Sequence, residues 1–329
     1  VAGNIDFTAI AGIKTATLAT ATDNTARTIT MEAGDITVNL GASLLAGLVV
    51  TDTGTAITDT LTIKNSNTTA DDMGNGMAVT STGYESVTID STAVGTTSQT
   101  FGAIIVTPDA TGASSLTFTG ADKVTVAAIT ATTIDASGLT AAGSGSTFTM
   151  SAAAITVTTI TGSEGNDTLV GDAASTINGG GGIDTITGGS GNDILRGQAG
   201  ADQLRGGSGD DTLYADSADT VIEGGLGADT LYVDGADGVS IGAGAGIETA
   251  VGNVGNDVFD GSDLATSANF AGGAGNDALT GGSGADTLRG QAGADQLRGG
   301  SGDDTLYADS ADTVIEGGLG SDTLYVDGT

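Results

Sequence analysis

The sequence predicts an all-β chain: a parallel β-helix or β-roll solenoid with ion-bound nonapeptide turns in its C-terminal half. Three observations predict it. Twelve aspartates recur after residue 161, each at the sixth place of a glycine-rich nonapeptide. The eighth place of those units is a large aliphatic residue with outward-facing neighbours, the alternation of a short strand with one buried face. Upstream, Thr-rich stretches alternate with period two and are separated by turn residues.

Residues 1–161 form the first domain, a Thr/Ala-rich β-solenoid poor in metal ligands. Strand-like stretches are ESVTID (85–90), SLTFTG (115–120), KVTVAA (123–128), STFTM (146–150) and AITVTTI (154–160). The pieces KVTV, TTIDAS, STFTM and AITV return at short intervals, as rungs of an irregular parallel solenoid would. This arrangement, continuing into the repeats, is favoured over a separate sandwich. ASLLAGLVV (42–50) reads as a short apolar helix or a buried strand and is too short to span a bilayer. Asp71 and Asp72, in DDMGNG (71–76), read as a solvated loop rather than a stray cation site.

Residues 162–329 form the second domain. Its clearest units are GGGGIDTIT (179–187), GGSGNDILR (188–196), GQAGADQLR (197–205) and GGSGDDTLY (206–214). The pattern G-G-x-G-x-D-x-U-x, with U aliphatic, is a calcium-binding β-helix signature. Glycines at the first, second and fourth places allow the positive φ of a tight turn and let carbonyls face inward. Two units make one rung, so aspartates two units apart stack about 4.8 Å apart. Two carboxylates with several carbonyl oxygens suit a hard six- to eight-coordinate cation such as Ca²⁺, and suit the stricter octahedron of Mg²⁺ less well.

The candidate ligands are Asp167, Asp184, Asp193, Asp202, Asp211, Asp229, Glu248, Asp257, Asp277, Asp286, Asp295, Asp304 and Asp322. Asp184–Asp202, Asp193–Asp211, Asp211–Asp229, Asp277–Asp295, Asp286–Asp304 and Asp304–Asp322 are each 18 apart. Asp167–Asp184, Asp229–Glu248 and Asp257–Asp277 are near-matches at 17, 19 and 20. ADSADTVIE (215–223, again at 308–316) lacks the glycines, and 233–241 and 261–271 are irregular. Each such unit should leave a half-site or none, so roughly eight to twelve calcium ions are expected.

Charge fits ligand duty. Residues 162–329 hold 28 acidic and 4 basic residues, and residues 1–161 hold 13 and 4, which together give the net −33. Such an excess of acid argues against nucleic acid and anionic membrane partners. A block of this kind is ordinarily a disordered tail, but here the acids are phased with glycine and leucine. The few aliphatic side chains of each rung cannot offset the ordering of eighteen glycine-rich residues, so bound metal must supply much of the folding free energy.

Residues 162–325 resemble the RTX (repeats-in-toxin) β-roll. The opening unit GSEGNDTLV (162–170), after a Thr-rich stretch, is similar to those of bacterial surface-layer and adhesin-type RTX proteins. The resemblance implies a right-handed parallel β-roll, ligated by the aspartates and by odd-place carbonyls of each turn. It also implies one-step (type I) secretion in an unfolded state and folding in extracellular calcium, hence a secreted or bacterial cell-surface location. No signal-peptide pattern or transmembrane stretch is read. The ends, Val1 and Thr329, read as those of a fragment or processed form.

The chain has no His, Cys or Trp. Zinc-protease helices, nucleophile elbows with a His partner and Cys or His metal sites are therefore excluded. Residues 188–235 and 281–328 match at 45 of 48 positions, differing at Asn192/Ala285, Ile194/Thr287 and Ala228/Ser321. A second copy adds little to an active site but adds length to a structural element. The expected function is a non-enzymatic extracellular structural protein, a piece of a surface-layer or adhesin-like assembly. Its expected partners are calcium, other copies of itself or cell-surface polysaccharide. Alternatives are a β-helical polysaccharide lyase or epimerase with a repeat tail, and a ligand- or ice-binding adhesin module.

Overall fold

The computed structural model describes residues 5–6, 15–18, 27–31, 35–40, 47–52, 59–65, 77–91, 98–108, 113–120, 123–140, 147–150 and 157–326. Asp71 and Asp72, residues 42–46 of ASLLAGLVV and residues 154–156 of AITVTTI lie outside them. Every regular element among the described residues is a β-strand. The chain divides into two compact units, Val1–Thr185 and Ile186–Thr329.

The first unit is built from two parallel ladders. One includes Arg27–Met31, Gly47–Asp52, Met77–Thr82, Ser98–Thr107 and Lys123–Thr130; the other includes Ile36–Leu40, Thr60–Asn65, Ser86–Asp90, Ser115–Gly120 and Thr133–Leu139. Each strand pairs in parallel with the strand two places on, which is a solenoid rather than a sandwich. Period-two sequences put Leu48, Val50, Leu61, Ile63, Val87 and Ile89 inside, all fully buried. Rung length varies with the corners: Ile29 pairs with Val50, Thr51 with Thr82 and Leu116 with Ile134. The apolar tail of ASLLAGLVV is strand, not helix, because its alternate residues fill this core.

In the second unit the rungs built of complete nonapeptides are regular, while some of those through residues 233–271 run to 19 or 20 residues. Leu195 pairs with Leu213, Leu213 with Leu231, Leu288 with Leu306 and Leu306 with Leu324, each 18 residues on. Rungs of two nine-residue units stack like on like, so each eighth-place side chain lies over its equivalent. Leu195, Leu204, Leu213, Leu231, Leu279, Leu288 and Leu297 are fully buried. Burying each contributes about 2 kcal/mol. The same register stacks Tyr214 on Tyr232 and Tyr307 on Tyr325, with ring centroids 5.3 and 4.9 Å apart. Arg196 and Arg289 lie over the first ring of each pair, at 4.0 and 4.7 Å.

Candidate metal centre

Unit 206–214 shows how the sequence builds one turn. Gly207 and Gly209 have φ of 113° and 122°, which L side chains rarely adopt. Gly206 is glycine for another reason. Its φ is not positive, but a Cβ there would collide with Asp211 Oδ2 and with the Gly224 carbonyl one rung on. The first-place glycine thus keeps open a cradle where a carboxylate oxygen and a carbonyl oxygen converge, a reason different from the one read in the sequence. The same pair of oxygens crowds the missing Cβ of Gly299, from Asp304 and Gly317. In the GQAG units Gln198 and Gln291 hold φ of 72° and 73°, an uncommon conformation imposed by the same turn.

The aspartates then form rows. Asp211 Oδ1 accepts the N–H of Asp193 at 2.8 Å, and Asp229 Oδ1 accepts that of Asp211 at 2.7 Å. Glu248 continues this row, its Oε2 accepting the Asp229 N–H at 2.8 Å, so the longer side chain covers the longer spacing. A second row runs from the Val239 N–H to Asp257, from Asp257 to Asp277 and from Asp277 to Asp295. A third runs from the Ala268 N–H to Asp286, then to Asp304 and Asp322. In the first unit Phe148 donates to Asp167, and Asp167 to Asp184 at 2.8 Å. Asp202, fully buried, donates its N–H to Asp219 Oδ1 at 2.9 Å.

Asp219 is the residue that the nonapeptide phase missed. It lies in the glycine-poor unit 215–223, at the fifth place, and takes the position of a sixth-place aspartate. Its Oδ2 accepts the Asp216 N–H at 2.9 Å. Asp312 repeats the arrangement with Asp295 and Asp309. The signal was present in the spacing: Asp219 follows Asp202 by 17 residues, as Asp184 follows Asp167.

The outer carboxylate oxygens separate into two groups. Asp167 Oδ2 accepts from the Ser163 N–H, Asp257 Oδ2 from Asn253 at 3.1 Å and Asp286 Oδ2 from Gly282 at 2.7 Å. Each of these three is satisfied within its own turn. Within the rows, Oδ2 of Asp211, Asp229, Asp277, Asp295 and Asp304 is buried and has no hydrogen-bond partner. A buried carboxylate oxygen without a donor carries a large desolvation cost unless a cation meets it.

Electrostatics agree with the geometry. Burial, and then the charges of Asp211, Glu248 and Asp210, push the Asp229 carboxyl up to about 6. Burial with Asp295 and Asp257 does the same to Asp277, also to about 6. Asp211, Asp295 and Asp304 move in the same direction, burial being the largest cause. Without a cation these rows hold negative charge poorly. No group of three or more acidic side chains converges on one point among the described residues. Each position therefore offers a small number of carboxylate oxygens supplemented by turn carbonyls, an all-oxygen donor set that fits Ca²⁺.

Comparison with known families matches the RTX calcium-binding nonapeptide repeat at residues 158–175, 171–204, 178–213, 197–231, 214–238, 242–263, 271–306 and 307–328. Comparison with curated proteins gives no match. The matched stretches are the ones whose turns carry the aspartate rows, and they include the glycine-poor units. No helix among the described residues is long and apolar enough to cross a membrane. The C-terminal half of this chain is therefore built of RTX calcium-binding nonapeptide repeats, stacked as a parallel β-roll that binds multiple calcium ions.

Proposed function

We propose that this chain is a calcium-dependent structural component of a bacterial surface-layer or adhesin-like assembly, secreted unfolded and folded outside the cell. The observation that carries the reading is the set of buried, unpartnered Oδ2 atoms in the aspartate rows. A fold with such atoms is incomplete in a cytoplasm poor in free calcium and complete where calcium is millimolar. The thirteen sequence-read acids and Asp219 and Asp312 are its proposed ligand-bearing or row-forming residues, with Asp167, Asp257 and Asp286 closing the row ends.

The duplicated cassettes favour a structural over a catalytic role. Both copies carry the same Arg–Tyr–Tyr stack and the same turn hydrogen bonds, so duplication has added framework. The exposed flanks are acidic, with Asp210 and Asp303 on the turns, and calcium shared between flanks would offset the repulsion between neighbouring copies. Self-association, or attachment to cell-surface polysaccharide, follows as the proposed partnership. Electron microscopy and light scattering with millimolar calcium should give ordered assemblies that chelator dissolves. A chain that stays monomeric at high concentration in calcium overturns the assembly reading.

A further inference from the structure

The first unit holds a second cluster of buried oxygens, remote in sequence from every nonapeptide. Asp52 ends strand Gly47–Asp52, and Asp59 immediately precedes strand Thr60–Asn65; they are 5% and 4% exposed. One rung on, Ser81 stands opposite Val50 in the parallel ladder, and Tyr84 fills the corner before strand Ser86–Asp90. Both are fully buried. The two corners are stacked directly: the Asp59 N–H donates to Glu85 Oε2 at 3.1 Å, and the Ser86 N–H to the Asp59 carbonyl at 3.4 Å.

Three of these side chains bring oxygens that nothing satisfies. Asp59 Oδ2, Ser81 Oγ and Tyr84 Oη are buried and make no hydrogen bond. The phenol lies within electrostatic reach of both carboxylates: after burial, the charges of Asp52 and Asp59 are what push its ionisation above the ordinary range. The walls are apolar, with Val50, Leu61, Val79 and Val87 fully buried. Lys64 is held by Asp90 at 3.1 Å on its own strand pair and does not serve Asp59. Two hydroxyls that can donate and one carboxylate oxygen are thus buried without bonding to one another or to any other group, an arrangement that a bound cation would satisfy.

We infer that Asp52, Asp59, Ser81 and Tyr84 form a calcium site independent of the repeats, in the half of the chain that lacks the nonapeptide motif. Two carboxylates balance a divalent charge, the hydroxyl oxygens supply neutral ligands, and the donor set contains only oxygen. Its role is to tie two successive corners of the irregular solenoid, where rung lengths differ and sequence repetition cannot enforce stacking.

The test is an ion count on the full chain. Native mass spectrometry from calcium-containing buffer should show Asp59→Asn holding one calcium fewer than wild type, with the circular dichroism of the folded protein retained. An unchanged count in folded Asp59→Asn overturns the site; it is the result expected if the pair merely shares a proton, since asparagine mimics a protonated carboxyl. If Asp59→Asn does not fold, wild-type crystals grown in calcium chloride decide. An anomalous peak about 2.4 Å from the Asp59 carboxylate supports the site. No peak, or density without anomalous signal as from water or sodium, overturns it. Neither result bears on the repeat sites.

Discussion

Replacing Asp219 by alanine discriminates between the row geometry and the nonapeptide phase. The side chain accepts two backbone N–H groups, from Asp202 at 2.9 Å and from Asp216 at 2.9 Å. Hydrogen bonds to a charged acceptor contribute about 1.5–3 kcal/mol each when well buried. Asp219 is half-buried, and its removal also relieves repulsion with Asp202 and Asp216, so we expect a net loss of about 2–3 kcal/mol. In urea with saturating calcium that lowers the midpoint of the second unit by about 1 M. Asp216→Ala removes one exposed bond to the Ala218 N–H, 2.7 Å long, and should shift the midpoint by less than about 0.5 M. Asp312→Ala is an internal replicate, because Asp312 makes the same two contacts in the second cassette. If Asp216→Ala destabilises as much as Asp219→Ala, Asp219 does not stand in for a sixth-place aspartate and the row is wrongly drawn.

Three further outcomes are expected. Gly206→Ala puts a methyl group into the cradle between Asp211 Oδ2 and the Gly224 carbonyl, and should remove calcium from that turn, as counted by native mass spectrometry, while Gly242→Ala, in open space, should not. Removal of calcium by chelator should strip β-structure from the second unit, seen by circular dichroism, and millimolar Mg²⁺ should restore it poorly because a loosely arranged set of roughly six to eight oxygens does not make its small, strict octahedron. Stability should depend on pH with opposite sign in the two states. In chelator, Asp229 and Asp277 have folded values raised to about 6, so their protonation favours the fold; that contribution is fully present below the ordinary carboxylate value and is lost as pH rises through about 6. In calcium, protons displace the ion and stability instead falls as pH drops through that window. Parallel slopes with and without calcium would remove the aspartate rows as its origin.

Much of the second unit was legible in the sequence because a stacked register turns spacing into position. Asp193, Asp211 and Asp229 are 18 apart and are neighbours in one row for that reason alone. Glu248 was legible despite its irregular spacing, since an acid one methylene longer reaches the same N–H. Asp219 and Asp312 were not, because the corner that carries them has lost its glycines and shortened by one residue. The distinction between Asp257, closed by the Asn253 N–H, and Asp277, left open, is set by contacts within each turn that the spacing of the aspartates does not show. In the first unit the alternating strands were legible, but their partners were not. Corners of unequal length place Thr51 beside Thr82 and Leu116 beside Ile134, and no motif announces that Asp59 lies within electrostatic reach of Tyr84.

The stacked tyrosines give the molecule an optical readout of its own. The chain has five tyrosines and no tryptophan, so tyrosine emission is not masked by energy transfer to indole. Four of the five belong to the pairs Tyr214–Tyr232 and Tyr307–Tyr325, whose rings are tilted by only 22° and 13°. Chromophores held that close and nearly parallel couple their transition dipoles, and the coupling vanishes once successive rungs part. Near-ultraviolet circular dichroism and emission lifetime therefore report rung contact separately in each cassette. A Tyr→Phe change in one pair leaves the other as a label-free gauge of where along the chain the ladder opens first.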